Sequence, residues 1–116
     1  MIKVTYTQDT DKRECSLRLE GHAGQAKVGE DIVCASASIL AYTLAQNIKS
    51  MEEYDQLEES PTIEMESGDA TVVCRAKDAF GYAEMLHTFL VIKIGYKLLA
   101  HNYPQFVEFI NDVTAE

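Results

Sequence analysis

The sequence predicts an α+β fold: two antiparallel β-hairpins forming a sheet packed against two main helices plus a short C-terminal helix, in the order ββαββαα. Three observations carry this expectation. Apolar residues alternate at period two between positions 2 and 19 and again between 62 and 76. They recur at helical spacing over 31–50 and 79–102. Hairpins and helices also come in runs rather than in strict β–α alternation, which favours a sheet with helices over a parallel doubly wound fold.

Each element follows from its local pattern. In "IKVTYT", Ile2, Val4 and Tyr6 alternate with Lys3, Thr5 and Thr7; after the polar turn "QDTDKR", Cys15, Leu17 and Leu19 alternate again in "ECSLRLE". Two such runs joined by a short polar link read as a hairpin with one buried face. Gly21 and Gly24 end it and open a loop expected to run to Gly29. Ile32, Ala35, Ile39, Leu40 or Tyr42, Leu44, Ala45 and Ile48 then predict a helix over 31–50, with Asp31 as its N-cap. Small residues in "CASAS" suit a helix lying close against its neighbours. "TIEME" and "ATVVCRA" flank the turn sequence "SGD" and form the second hairpin, with Val72, Cys74 and Ala76 on one face. From Ala79 to about Asn102 runs a long helix with Asp78 as its cap and Gly95 as an internal weak point. Its apolar side, with Phe89, Ile92 and Tyr96, suits either core or interface. Pro104 starts the expected final helix, "PQFVEFINDV".

With 116 residues the chain is expected to form one domain, 1–116, with a single core. No basic, then apolar, opening resembles a signal peptide, and "FLVIKIGYKLLA" is too short and too charged to span a bilayer. A cytoplasmic location is therefore expected. Ten Lys and Arg against 19 Asp and Glu give a net charge of −9, unsuited to nucleic acid or anionic lipid and attractive to basic partners. The acid is densest in "MEEYDQLEES", which in the simplest case is a solvated loop.

Three cysteines without CxxC spacing predict free thiols rather than a disulfide framework, and nothing resembles a zinc site, so no metal or cofactor is expected. Cys15 and Cys74 fall in step with apolar strand residues and read as core. Cys34 differs. With Asp31 as cap it stands in the first turn of a helix, where free amides and the dipole favour a thiolate. His22 lies upstream of it in a glycine-rich stretch, and an imidazole is the group a cysteine nucleophile needs for proton transfer. His87, among Met85, Leu86 and Phe89, and His101, near a helix end, read as structural.

The stretch "GHAGQAKVGEDIVCASASIL" resembles the signature of the ribosomal-processing cysteine proteases, the Prp family, at Gly21, His22, Ala23, Gly29, Asp31, Ile32, Val33, Cys34, Ala35 and Ser38. The resemblance extends more loosely over the whole chain. It implies a homodimeric cytoplasmic thiol protease that removes a short N-terminal extension from a large-subunit ribosomal protein and so supports ribosome assembly. It assigns Cys34 as nucleophile and His22 as its acid–base partner. Asp31 would cap the helix or orient His22. Ser38, one helical turn beyond Cys34, would either hydrogen-bond near the site or serve close packing. Backbone amides at the helix start, that of Cys34 included, would hold the oxyanion. The loop 23–30 would move to admit the peptide, and the acidic surface would draw a basic ribosomal substrate. The rival expectations are a non-catalytic, ribosome-associated peptide-binding module and a thiol redox sensor, the latter without a nearby resolving cysteine.

Overall fold

The computed structural model describes the backbone of residues 1–22 and 28–114, with side chains for 1–22 and 32–113. Seven elements follow in the order β1 (Ile2–Asp9), β2 (Glu14–Glu20), α1 (Val28–Glu53), β3 (Thr62–Glu66), β4 (Asp69–Arg75), α2 (Ala79–Asn102) and β5 (Val107–Thr114). The strands form one mixed sheet in the order β3-β4-β2-β1-β5; β5 runs parallel to β1, and the other pairings are antiparallel.

Both expected hairpins form. Alternation sets one face of the sheet inward: Ile2, Val4 and Tyr6 from β1, Cys15, Leu17 and Leu19 from β2, and Val72 and Cys74 from β4 are all buried. Cys15 and Cys74, opposite each other in the β2–β4 register, are core residues as expected. The helices cover this face. Asp78 caps α2, its Oδ1 accepting from the Gly81 amide at 2.8 Å. Phe89, Ile92 and Tyr96 of α2 are core rather than interface.

The C-terminal element departs from expectation. The last short helix is a strand, β5, so the order is ββαββαβ. Val107, Phe109 and Val113 alternate toward the core side, and β5 fills the ladder that the outer edge of β1 leaves open, from Ile2↔Val107 to Asp9↔Thr114. An edge needing a partner outweighs local helix-start chemistry at Pro104.

Helix α1 departs in phase and in length. It begins at Val28 rather than Asp31, so Gly29 belongs to the helix and not to the preceding loop. The buried face is Val33, Ala37, Ala41, Leu44, Ala45, Ile48 and Met51, whereas Ile32, Ile39 and Tyr42 are exposed. Close approach selects the small residues. The Tyr96 hydroxyl of α2 donates to the Ala37 carbonyl at 2.8 Å, and Leu40 occupies the space a side chain at Gly95 would need, its Cδ2 2.8 Å from where a Cβ would stand. The glycine expected to weaken α2 is thus the point where α1 crosses it. No helix is long and apolar enough to cross a membrane among the described residues.

The acidic stretch is partly anchored. Leu57 is buried and bridges Ala76, Asp55 pairs with Lys77 at 2.7 Å, and Glu59 approaches Arg75 at 3.7 Å. Glu52, Glu53 and Glu58 are exposed.

Candidate active site

A cavity of about 300 Å³ opens where the C-terminal end of β2, the N-terminal half of α1 and the β3–β4 turn converge. His22 and Cys34 both line it. From α1 come Cys34, Ala37, Ser38, Ala41 and Tyr42, whose spacing of three and four residues places them on one helical stripe. The turn contributes Met65 to Ala70, and the strands contribute Ile2 and Leu19. The wall is mixed: the thiol, the imidazole and the hydroxyls of Ser38 and Tyr42 stand on the β2 and α1 sides, and Glu66, Ser67 and Asp69 on the side of the turn.

Backbone interactions hold His22 immediately after β2. The Met1 nitrogen donates to the His22 carbonyl at 2.6 Å, and the Gly21 amide donates to the Gly68 carbonyl at 2.8 Å. Gly21 has φ +93°, and a Cβ on it would stand 2.5 Å from the Met1 carbonyl oxygen, so only glycine fits the turn that ends β2. Beyond the turn the imidazole lies against Gly68, exposed on its open side.

Cys34 is half-buried and is a free thiol. Because α1 starts at Val28, Cys34 is in the second turn, and helix geometry gives its amide to the carbonyl four residues back. This amide is therefore not a spare oxyanion donor. The thiol also lies beyond the first turn, where the dipole effect is concentrated. Asp31 stands inside the helix and does not cap it; its expected role in orienting His22 concerns a side chain outside the described residues. Of the expected gate at 23–30, residues 23–27 lie outside the described residues, and 28–30 open α1 instead of belonging to a loop. Ser38 reaches the cavity. His87 and His101 are exposed on α2 and do not line it.

The β3–β4 turn is the part of the wall that sequence reasoning missed. "SGD" reads as a turn, and nothing in its composition connects it with His22. The connection is the β2–β4 register: Glu20 pairs with Asp69, so the residues following and preceding that pair, Gly21 and Gly68, meet. Arg18 adds an ion pair to Asp69 at 3.5 Å beside the same turn.

Burial elsewhere is inert. The Cys15 thiol is pushed up from 9.0 to about 12 by burial, and burial likewise raises Cys74, leaving neither suited to act as a nucleophile near neutral pH.

Comparison with known proteins gives consistent results. The model of the family described as cysteine protease Prp matches residues 1–108. A search of curated protein sequences gives no match. Among solved structures, the Streptococcus mutans protein SMU.848 is 25% identical over 98% of this chain and 96% of its own, with a TM-score of 0.68. The ribosomal processing protease Prp of Staphylococcus aureus, in complex with a covalently linked product peptide, is 18% identical over 97% of this chain and 100% of its own, with a TM-score of 0.69. The same protease with a substrate peptide superposes with a TM-score of 0.67 at 18% identity, with 97% and 100% of the two chains covered. At 18% identity the likeness to the S. aureus protease is one of fold.

Proposed function

Since this chain belongs to the family of cysteine protease Prp, we propose that residues 1–116 act as a single protease domain. Cys34 is its nucleophile and His22 its acid–base partner. The observation that carries the reading is that the half-buried thiol and the imidazole, separated in the chain by the whole segment 23–33, line one cavity. His22 takes the proton of Cys34, and the thiolate attacks the scissile carbonyl carbon. As the tetrahedral species collapses, the C–N bond breaks and the imidazolium gives its proton to the departing amine. His22 then removes a proton from water, which attacks the thioester and releases the acid and the thiol. With Cys34 outside the helix's first turn, proton transfer to His22 carries the activation that a helix end was expected to supply. Ser38, on the same stripe of α1, is within the pocket that receives the peptide.

The substrate we propose is an N-terminally extended large-subunit ribosomal protein, cut in the cytoplasm in support of ribosome assembly. The named activity of the S. aureus structural relative supports this, and so does the charge of −9, which suits a basic substrate. Glu52 stands about 27 Å along α1 from Cys34. The acidic segment thus acts on encounter, at long range, and not in the cavity. A homodimer is supported by the exposed apolar stripe Leu90, Val91, Ile94 and Leu98 on α2.

The test is incubation of the extended ribosomal protein with wild-type, Cys34→Ala, Cys34→Ser and His22→Ala enzymes, read by intact mass. Wild type should yield the shortened protein and the Cys34 variants none, while still binding the peptide. Turnover by Cys34→Ala would remove the thiol from the mechanism, and binding without turnover in wild type would favour a peptide-binding module.

A further inference from the structure

We propose that Gly68 is a positioning residue for the His22 imidazole, a role that rests on the reading of His22 as the proton carrier. A Cβ placed on Gly68 would stand 2.4 Å from Nε2, 2.7 Å from Cε1 and 3.2 Å from Cδ2 of His22. Three of the five ring atoms are therefore packed against the bare Cα of this residue. The Gly68 carbonyl also accepts from the Gly21 amide at 2.8 Å, so one glycine both ties down the backbone beside His22 and bounds the space of its ring. The two sit side by side on the wall of the cavity that Cys34 of α1 also lines.

Gly68 meets two separate requirements. Its φ of +77° is left-handed, a conformation that glycine adopts freely and asparagine tolerates. With the ring where it stands, the contact leaves no room for a Cβ, that of asparagine included. Because the atoms a Cβ would strike belong to the end of a rotatable, exposed side chain, the clash is relieved by swinging the imidazole rather than by unfolding the turn. The cost therefore falls on geometry at the reacting atoms. A displacement on the order of 1 Å costs a catalytic constellation about a hundredfold.

The experiment compares wild type, Gly68→Ala, Gly68→Asn and His22→Ala. It measures kcat and KM on the extended ribosomal protein, and the rate of Cys34 alkylation by iodoacetamide between pH 5 and 9. Circular dichroism monitors folding. We expect Gly68→Ala and Gly68→Asn to remain folded and to lose about a hundredfold in kcat with KM within about threefold of wild type. Their alkylation profiles should shift toward that of His22→Ala. Recovery of kcat by asparagine but not alanine would reduce the role of Gly68 to its backbone angle and overturn the inference. So would wild-type kcat in both variants, or the failure of both to fold, since the backbone and not the ring would then absorb the clash. Wild-type cleavage and alkylation by His22→Ala would instead sink the underlying assignment of His22, an outcome distinct from all of these.

Discussion

Removing the hydroxyl of Tyr96 tests whether the crossing of α1 and α2 is fixed as described. The phenol is buried and donates to the Ala37 carbonyl at 2.8 Å. Tyr96→Phe keeps the ring and its packing, and the Ala37 carbonyl retains its own bond within α1, so no buried acceptor is orphaned. The expected loss is that of one net hydrogen bond, about 1 kcal/mol at pH 7. For a chain of 116 residues, unfolding entropy of about 2.1 cal/mol/K per residue converts this to a fall in Tm of about 4 °C. The loss should itself depend on pH. Burial holds the Tyr96 phenol well above its ordinary value of 10.0, so as pH rises past 10 the unfolded wild type sheds a proton that the folded state keeps. Wild type then loses stability that the Phe variant, with no proton there to lose, does not. By linkage this penalty reaches about 1 kcal/mol between pH 10 and 11, where the two proteins should melt together. Paired thermal melts from pH 7 to 11 provide the assay. Equal Tm values at pH 7, or a gap that persists unchanged to pH 11, would refute the buried hydrogen bond.

Other outcomes follow from the same structure. Cys15, raised by burial from 9.0 to about 12, contributes stability that is complete below pH 9 and is lost as pH rises toward 12; Cys74 and Tyr6, also raised by burial, act in the same direction. Urea unfolding should accordingly show stability declining above pH 9, by up to about 1.4 kcal/mol per pH unit for each such group. Asp78→Ala removes the acceptor of the Gly81 amide and should lower stability by about 1 kcal/mol in the same denaturant assay. Neutralising Glu52, Glu53 and Glu58 should lower kcat/KM toward the basic substrate at low salt and weaken its decline with added salt, leaving kcat unchanged; a flat salt response in wild type would return the segment to a solubilising role. Ile94→Asp on the exposed stripe of α2 should convert a dimer to a monomer in analytical ultracentrifugation, and an unchanged sedimentation coefficient would place the interface elsewhere.

Local chemistry made most elements legible. Period-two alternation placed β1, β2 and β4, Asp78 marked the start of α2, and in-step burial identified Cys15 and Cys74 as core. It misled where two signals competed. Pro104 followed by an apolar run has the local chemistry of a helix, yet pairing with the edge of β1 makes it β5. In α1 the larger residues Ile32, Ile39 and Tyr42 suggested the inner face, whereas the close crossing of α2 takes the alanines inward. Asp31 has the right chemistry for a cap, but the helix extends one turn further toward the N-terminus.

The candidate site divides along the same line. The motif around His22 and Cys34 singled out two residues that line one cavity, because a thiol and an imidazole in a glycine-rich strand-to-helix segment are unusual as residues whatever their surroundings. The sequence by itself determined the chemistry available. Only the tertiary structure decided what surrounds it: a hairpin beyond the far end of α1 enters the wall through the Glu20↔Asp69 pairing and sets the bare Cα of Gly68 against the imidazole. Side-chain chemistry is a property of single residues and is visible in their order. The partner that a strand brings across a sheet depends on register, which is fixed by burial over the whole face and belongs to no local segment.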